Sequence, residues 1–353
     1  FLPGDADNIV KYSKLCEKKQ EQSFLEKQEN ENKRGALLYL DGRDSIIWRK
    51  DNRKDRKTAM EKTLWEIYND TQLAELDTLT ADYKKFLDAG KTERECVTEV
   101  IRIAEKEGYV DLNKKDTLQA GDKVYMDWMG KSIVLFQIGE DSLEKGMNIL
   151  GAHVDSPRLD LKQNPLYEES GFAYFDTHYY GGIKKYQWVT LPLAIHGVVV
   201  KKDGTKVNVV IGEKEEDPVF AITDLLPHLG SKQMEKTAAT VIEGEALDIL
   251  VGSAPLCGEE KDAVAANVLK LLKETYSMEK EDLMSAELEI VPAGKARDCG
   301  LDKSMVIGYG QDDRVCAFTS LMAMLHTENK KRTSCCILVD KEEIGSVGAT
   351  GMQ

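Results

Sequence analysis

Three observations in the sequence predict an α/β fold. The first 110 or so residues carry amphipathic, helix-like spacing of apolar side chains. Three short apolar runs, Met147–Leu150, Met305–Tyr309 and Cys335–Val339, then read as buried strands, and each stops at a polar cluster. Between the first two lies a long stretch rich in β-branched residues and turn signals. Helices first, then strands ending in polar groups, suit the opening half of an α/β domain with an insertion.

Taken in order, residues 8–35 are dominated by Lys, Glu and Gln, with Ile9, Tyr12, Leu15 and Phe24 as a sparse stripe. That pattern predicts an exposed helix docked by a narrow face. The run Arg49–Lys57 reads as a solvated surface rather than a binding patch. Residues 58–88 place Leu64, Ile67, Tyr68, Leu73, Leu76, Tyr83 and Phe86 at helical spacing, with a possible break. Thr92-Glu-Arg-Glu95 is a capping box that opens a helix through Glu107 with Val97, Ile101 and Ala104 inward, and Gly108 ends it. Val124–Trp128 and Ser132–Phe136 read as a hairpin, and Met147–His153 as the next strand. Runs Trp188–Ile195, Gly197–Lys202 and Lys206–Ile211 read as strands separated by His196 and by the turn Asp203-Gly204. Asp262–Lys273 reads as an exposed helix, Ala286–Val291 as an alternating strand, and Cys316–His326 as a helix with Phe318, Leu321, Met322 and Leu325 inward.

Composition narrows the function. The 353 residues suffice for two domains, and 42% hydrophobic with 31% charged residues is a globular balance. A net charge of −14 argues against a nucleic-acid partner, because phosphate binding needs a basic surface. No apolar run reaches the roughly 18–20 residues of a membrane span, and Phe1–Asn8 lacks the basic flank of a signal peptide. The seven cysteines form no Cys-x-x-Cys pair, and most sit in apolar surroundings, which points to a reducing, cytoplasmic setting. Cys316 and Cys336 lie near the polar clusters but lack ligand spacing.

The clusters carry the chemistry. In Gly151-Ala-His153-Val-Asp155-Ser-Pro157 a His and an Asp two apart on a strand share a face, so Asp155 can hold one imidazole nitrogen and leave the other for a metal. Gly310-Gln-Asp312-Asp313-Arg314 and Asp340-Lys-Glu342-Glu343-Ile-Gly-Ser346 follow the other two runs. Ligands in open α/β sheets bind beyond the carboxyl ends of strands. A His, an Asp and a Glu pair converging there would suit zinc, cobalt or manganese. A cation would also offset the repulsion between Glu342 and Glu343, one serving as ligand and the other facing a metal-held water.

In this order and combination, G-A-H-V-D-S-P-R-L-D, Y-G-Q-D-D-R and D-K-E-E-I-G-S resemble the M18 zinc aminopeptidases, the aspartyl aminopeptidase family and its bacterial relatives. Tyr179-Tyr180-Gly181-Gly182-Ile183-Lys184 resembles the glycine-rich stretch of that family's inserted domain. The resemblance runs from about Val124 to Gln353. It implies a three-layer zinc-peptidase domain in two parts, residues 1–160 and 286–353, around an inserted β-rich dimerisation domain at 161–285. It implies two divalent metals, with His153 binding one, Asp312 bridging both and Glu343 binding the second; Glu342 is the general base and Asp155 orients His153. The implied substrates are peptides with an acidic or neutral N-terminal residue, and the implied assembly is a homo-oligomer of dimers forming a twelve-subunit shell. Two further family ligands, an Asp and a His, fall beyond Gln353, so a C-terminal segment carrying them is expected outside this sequence.

The remaining candidates are weaker. Lys184 and Lys185 read as solvated lysines that would otherwise meet an anionic substrate group or a neighbouring carboxylate, and His178 reads as a structural histidine that would otherwise reach a neighbouring active site. His196 and His228 read as structural, and His326 as a helix-terminal cation. Rival readings are a metallohydrolase of the M42 or deacylase type on the same scaffold, or an inactive self-assembling scaffold.

Overall fold

The structure, a computed structural model, describes residues 63–327 and 331–353, together with the backbone of two strands near the start of the chain. The helix expected at residues 8–35 and the charge run Arg49–Lys57 lie outside the described residues, Arg49 backbone apart. The chain divides into two compact units, residues 1–81 with 298–307, and residues 82–297 with 308–353. The first contains the antiparallel hairpin of β1 (Leu37–Asp41) and β2 (Ser45–Arg49), and a short helix, Leu64–Ile67, capped by Thr63 and Glu66. A break at Tyr68 separates that helix from the longer Asp70–Ala89, as the spacing in residues 58–88 predicts.

The second unit holds both large sheets. The helix Glu93–Lys106 begins at the expected capping box, with Thr92 Oγ1 accepting from Glu95 N and Glu95 Oε2 accepting from Thr92 N. Its inward face is Cys96, Val97, Val100 and Ala104, with Ile101 only half-buried. Then come β3 (Val110–Asp111), β4 (Lys123–Trp128), β5 (Ser132–Gln137) and β6 (Asn148–His153). β4 and β5 form the predicted hairpin, closed by Met129 and Gly130 at positive φ. β7 (Arg158–Glu169), β8 (Phe172–Tyr180), β9 (Leu193–Val200), β10 (Lys206–Ile211), β11 (Ile249–Gly252) and β12 (Ala286–Pro292) form a six-stranded sheet in the order β10-β9-β12-β7-β8-β11. Leu159, Phe175, Leu193, Ile195, Ile249 and Ile290 build its core, and the helix Ala263–Tyr276 covers it with Val264, Ala265 and Val268. That helix was expected to be exposed; its apolar face is in fact buried.

Two other expectations change. Ala286–Val291 does not return to the sheet of the ligand strands: β12 pairs along its length with β9 and at Glu289–Ile290 with β7, so the six-stranded sheet runs from Arg158 to Pro292. β12 alternates in sequence, but the strand partners it meets are β9 and β7, and alternation alone cannot choose between two sheets. His196 does not separate two strands; it lies inside a continuous β9. Gly197 allows this, because its φ of 143° and the Glu287 carbonyl, 2.0 Å from where a Cβ would stand, leave room for glycine only.

β13 (Arg297–Cys299) and β14 (Met305–Ile307) form a separate two-stranded ribbon, so the run before Asp312 belongs to neither large sheet. The helix Gln311–His326 follows, burying Ala317, Phe318, Leu321, Met324 and Leu325, with Phe318 against Tyr83 and Phe86. β15 (Ser334–Val339) completes the five-stranded sheet β3-β4-β5-β15-β6. It runs parallel to β6 with Val339 opposite His153, so the strand ends that precede Asp155 and the Glu342-Glu343 turn lie side by side. No helix among the described residues is long and apolar enough to cross a membrane.

His196 ties three segments together. Its Nδ1 is 2.8 Å from Glu95 Oε1 and its Nε2 3.2 Å from Glu213 Oε1, and Lys91 stands 3.7 Å from the same Glu213 oxygen. Burial disfavours the imidazolium, but hydrogen bonds to Glu213 and Glu95 outweigh it and raise the pKa. A raised pKa contributes stability fully below the unfolded value of about 6.5 and loses it as pH climbs through the folded value. Unfolding free energy, measured by denaturant titration, is therefore expected to fall as pH rises above about 6.5. In His196→Gln that part of the slope disappears; an unchanged slope would remove the assignment.

Candidate metal centre

The centre forms where β6 and β15 end. His153, the last residue of β6, is buried, and its ring is held from one side. Nδ1 is 3.0 Å from the Asp155 carbonyl oxygen and 3.2 Å from its Oδ1. Nε2 is left to face two carboxylates, with Asp312 Oδ1 and Glu342 Oε2 each 3.6 Å away. Asp312 arrives at the start of the helix Gln311–His326, where its backbone departs from helical geometry and Ser156 Oγ donates to its carbonyl at 2.9 Å.

Glu342 and Glu343 sit in a single 3-10 turn, Glu342–Ile344, flanked by Lys341 at φ 72° and Gly345 at φ 93°. Buried Asp340 shapes the entry to it. Its Oδ1 accepts from Lys341 N at 2.8 Å, its Oδ2 accepts from Thr350 Oγ1 at 2.6 Å, and its own N–H donates to Ser132 Oγ at 3.2 Å. The turn is fixed from the other side by Asp155, whose Oδ1 accepts from Glu342 N at 3.3 Å and whose Oδ2 accepts from Glu343 N at 3.2 Å. Gly181, at φ 72°, lies against Glu343; a Cβ there would stand 3.1 Å from Glu343 Cβ and 3.3 Å from its Oε2.

The electrostatics follow from this crowding of acids. Burial pushes the Glu343 carboxyl up to about 7, with Asp312, Asp155 and Glu342 adding to the effect and His153 opposing it. Burial works against a charged His153, but bonds to Asp155 and Asp312 prevail and raise it to about 10. Burial would raise Asp155 as well, yet hydrogen bonds from His153 and Tyr180 hold it below the usual carboxylate range.

All five residues singled out from the sequence, His153, Asp155, Asp312, Glu342 and Glu343, therefore meet in one place. Sequence reasoning missed the supports: Tyr180, whose hydroxyl donates to Asp155 Oδ2 at 2.7 Å, Ser156, and the Asp340–Thr350 pair. The only sequence signal for Tyr180 is its place before Gly181-Gly182. Lys185 packs over the Tyr179 ring at 5.7 Å and His178 stacks on the same ring at 5.8 Å.

One nitrogen and two carboxylates, those of His153, Glu342 and Glu343, have ligand atoms all within 4.8 Å of one another. Asp312 stands beside them. This hard, oxygen-rich set with one imidazole fits a divalent ion, whose charge would relieve the acids' mutual repulsion. A second acidic group, Glu93, Glu287 and Glu289, is comparably tight but is already neutralised from within: Lys131 pairs with Glu93 and Glu287, and Arg158 with Glu93 and Glu289.

A sequence model of the aminopeptidase I zinc metalloprotease (M18) family matches residues 86–353. The chain belongs to the M18 family. A probable M18 family aminopeptidase 1 of Clostridium acetobutylicum is 61% identical over 297 residues, covering 83% of this chain and 64% of that protein. The corresponding Thermotoga maritima protein is 46% identical over 285 residues, covering 81% of this chain and 62% of its own length. Two M18 crystal structures superpose well. The Thermotoga maritima aminopeptidase gives a TM-score of 0.80 at 44% identity over 84% of this chain and 64% of that one. Aminopeptidase I from Clostridium acetobutylicum gives 0.76 at 60% identity over 83% and 65%. The chain thus spans a little under two thirds of the length of these M18 relatives. The mixed α/β class predicted from the sequence is the class of these structures.

Gly181→Ala should disturb this centre directly. A positive φ costs a non-glycine residue about 1–2 kcal/mol, and the added methyl displaces Glu343. The expected result is weaker zinc binding in calorimetric titration with an unchanged circular dichroism spectrum. Wild-type affinity would mean that Glu343 does not need this contact.

Proposed function

We propose that the protein is a metal-dependent aminopeptidase that hydrolyses the N-terminal residue, acidic or neutral, from peptides. The observation that carries this reading is the convergence on His153 Nε2 of Asp312 and Glu342, each at 3.6 Å, with Glu343 beside them and Asp155 behind the ring. We assign His153, Asp312 and Glu343 as ligands of two divalent ions, zinc in the first instance with cobalt or manganese as substitutes. Asp312 would be the ligand shared between them. When bound, such ions supply Lewis acidity and bring the pKa of a held water from about 15.7 toward 7.

The residues of this chain do the rest. Asp155 holds the His153 ring in one tautomer by accepting from Nδ1, which keeps Nε2 free to ligate. Glu342, with its side chain 57% exposed, is open to a substrate in a way that buried Asp155 is not. It takes the proton of the attacking water and returns it to the leaving amine. Its backbone is pinned through the N–H bond to Asp155, so the base and the imidazole keep a fixed relation.

We further propose that the protein is a homo-oligomer, dimers associating into a twelve-subunit shell through the insertion centred on residues 161–285. Leu225, Leu226, Leu229 and Met234 expose apolar side chains on that segment, which supports a self-association surface. The cysteines among the described residues are free thiols, in keeping with a cytoplasmic setting.

Glu342→Gln is expected to retain metal while kcat on peptide substrates falls by at least about 100-fold; near-normal turnover would disprove the general-base role. His153→Ala should lower the metal content measured by elemental analysis. Unchanged stoichiometry would refute its place as a ligand.

A further inference from the structure

Tyr180 is the last residue of β8 and lies directly across from Arg158, the first residue of β7. The Arg158 guanidinium covers its ring at 3.9 Å from the centroid. Arg158 is itself immobilised: Nε is 2.7 Å from Asp160 Oδ1 and 3.1 Å from Glu289 Oε2, and Nη1 is 3.3 Å from Glu93 Oε2. The ring is thus clamped in one plane by an ion cluster, and its hydroxyl reaches Asp155.

Asp155 accepts four hydrogen bonds, from His153 Nδ1, Glu342 N, Glu343 N and Tyr180 Oη, at 3.2, 3.3, 3.2 and 2.7 Å. The last is the shortest, and a hydroxyl bonded to a carboxylate is a strong, directional interaction. It sets the rotation of the carboxylate about its own axis. The three weaker donors are the metal-centre elements that rotation must serve. The next residue, Gly181, runs so close to Glu343 that a Cβ there would stand 3.1 Å from Glu343 Cβ, so the end of β8 flanks the centre on two sides.

We propose that Tyr180 is a positioning residue of the metal centre, its hydroxyl, aimed by the Arg158 stack, fixing Asp155 in the rotation that presents His153 Nε2 and the Glu342-Glu343 turn together. The proposal rests on the metal-centre reading above and adds to it a support that comes from the six-stranded sheet.

The test is zinc affinity of the metal-free full protein, measured by competition with a chelator. Tyr180→Phe keeps the ring and its stack and removes only the hydroxyl. Zinc binding is expected to weaken on the order of 10–100-fold, with the melting temperature of the metal-free protein within a few degrees of wild type. In an Asp155→Asn background Tyr180→Phe should add little, because the hydroxyl acts through Asp155. Arg158→Lys, which keeps the charge and loses the planar stack, should also weaken binding, and serves if the phenylalanine variant does not fold. Wild-type zinc affinity in Tyr180→Phe, or full additivity with Asp155→Asn, overturns the proposal. If wild type and His153→Ala bind zinc equally, the metal-centre reading fails instead, and the two failures are distinct.

Discussion

The buried carboxylate of Asp155 is the constraint on which the rest of the site depends. It has no exposure to solvent, so its charge must be met entirely by hydrogen bonds from the protein. Those four bonds come from three chain segments: the end of β6, the end of β8 and two successive peptide groups of the turn after β15. Satisfying one anion therefore forces imidazole, phenol and acidic turn into a single arrangement. The acids around His153 would not collect in this way by their own energetics, since each raises the cost of ionising the next. A donor-rich hub behind them supplies the order, and a cation in front of them would supply the missing charge.

A second level of organisation lies deeper. Glu93, Arg158, Glu289, Asp160, Lys131 and Glu287 form a mostly buried ionic cluster linking the start of the helix Glu93–Lys106 with β7 and β12. Burial holds Glu289 well above the usual carboxylate range, with Glu93 adding to the shift and Arg158 opposing it. Arg158 and Lys131 hold Glu93 low against the cost of its own burial. Such a cluster is costly to desolvate and gives little net stability. Its evident effect here is geometric, because the same Arg158 lies over Tyr180.

Much of this was legible in the sequence, for identifiable reasons. Polar residues of a few metal-binding types directly after apolar runs are conspicuous, so His153, Asp312, Glu342 and Glu343 stand out. The capping box at Thr92 and the hairpin about Gly130 are local, and local rules predicted them. What failed was non-local. Met305–Tyr309 has the composition of a sheet strand, yet its partner is the nearby Arg297–Cys299, and Asp312 is delivered by a helix start instead. Ala286–Val291 alternates in sequence, yet Leu288, Glu289, Ile290 and Val291 are all buried and the strand joins the other sheet. Tyr180 and Asp340 stand in motifs the sequence displays, but their supporting roles were not legible because such a role is defined by the partner it meets, and those partners lie 25 and 10 residues away.

The pairing of β7 with β12 has a consequence for chain topology. The six-stranded sheet begins at Arg158 and ends at Pro292, and Asp160 is paired with Glu289. A long excursion therefore leaves and re-enters the main body at one point. Outside that pairing His153 and Asp312 are joined by residues 154–157 and 293–311. Closing the segment between them costs only about 0.6 kcal/mol more per doubling of its length even when it is flexible, and the β7–β12 contact is where that cost is met. The segment beyond the pairing can be lengthened, trimmed or restyled at its far end while the distance across the metal centre stays the same. One end of the sheet is bound to the geometry of the chemistry, and the other is free to change the company the molecule keeps.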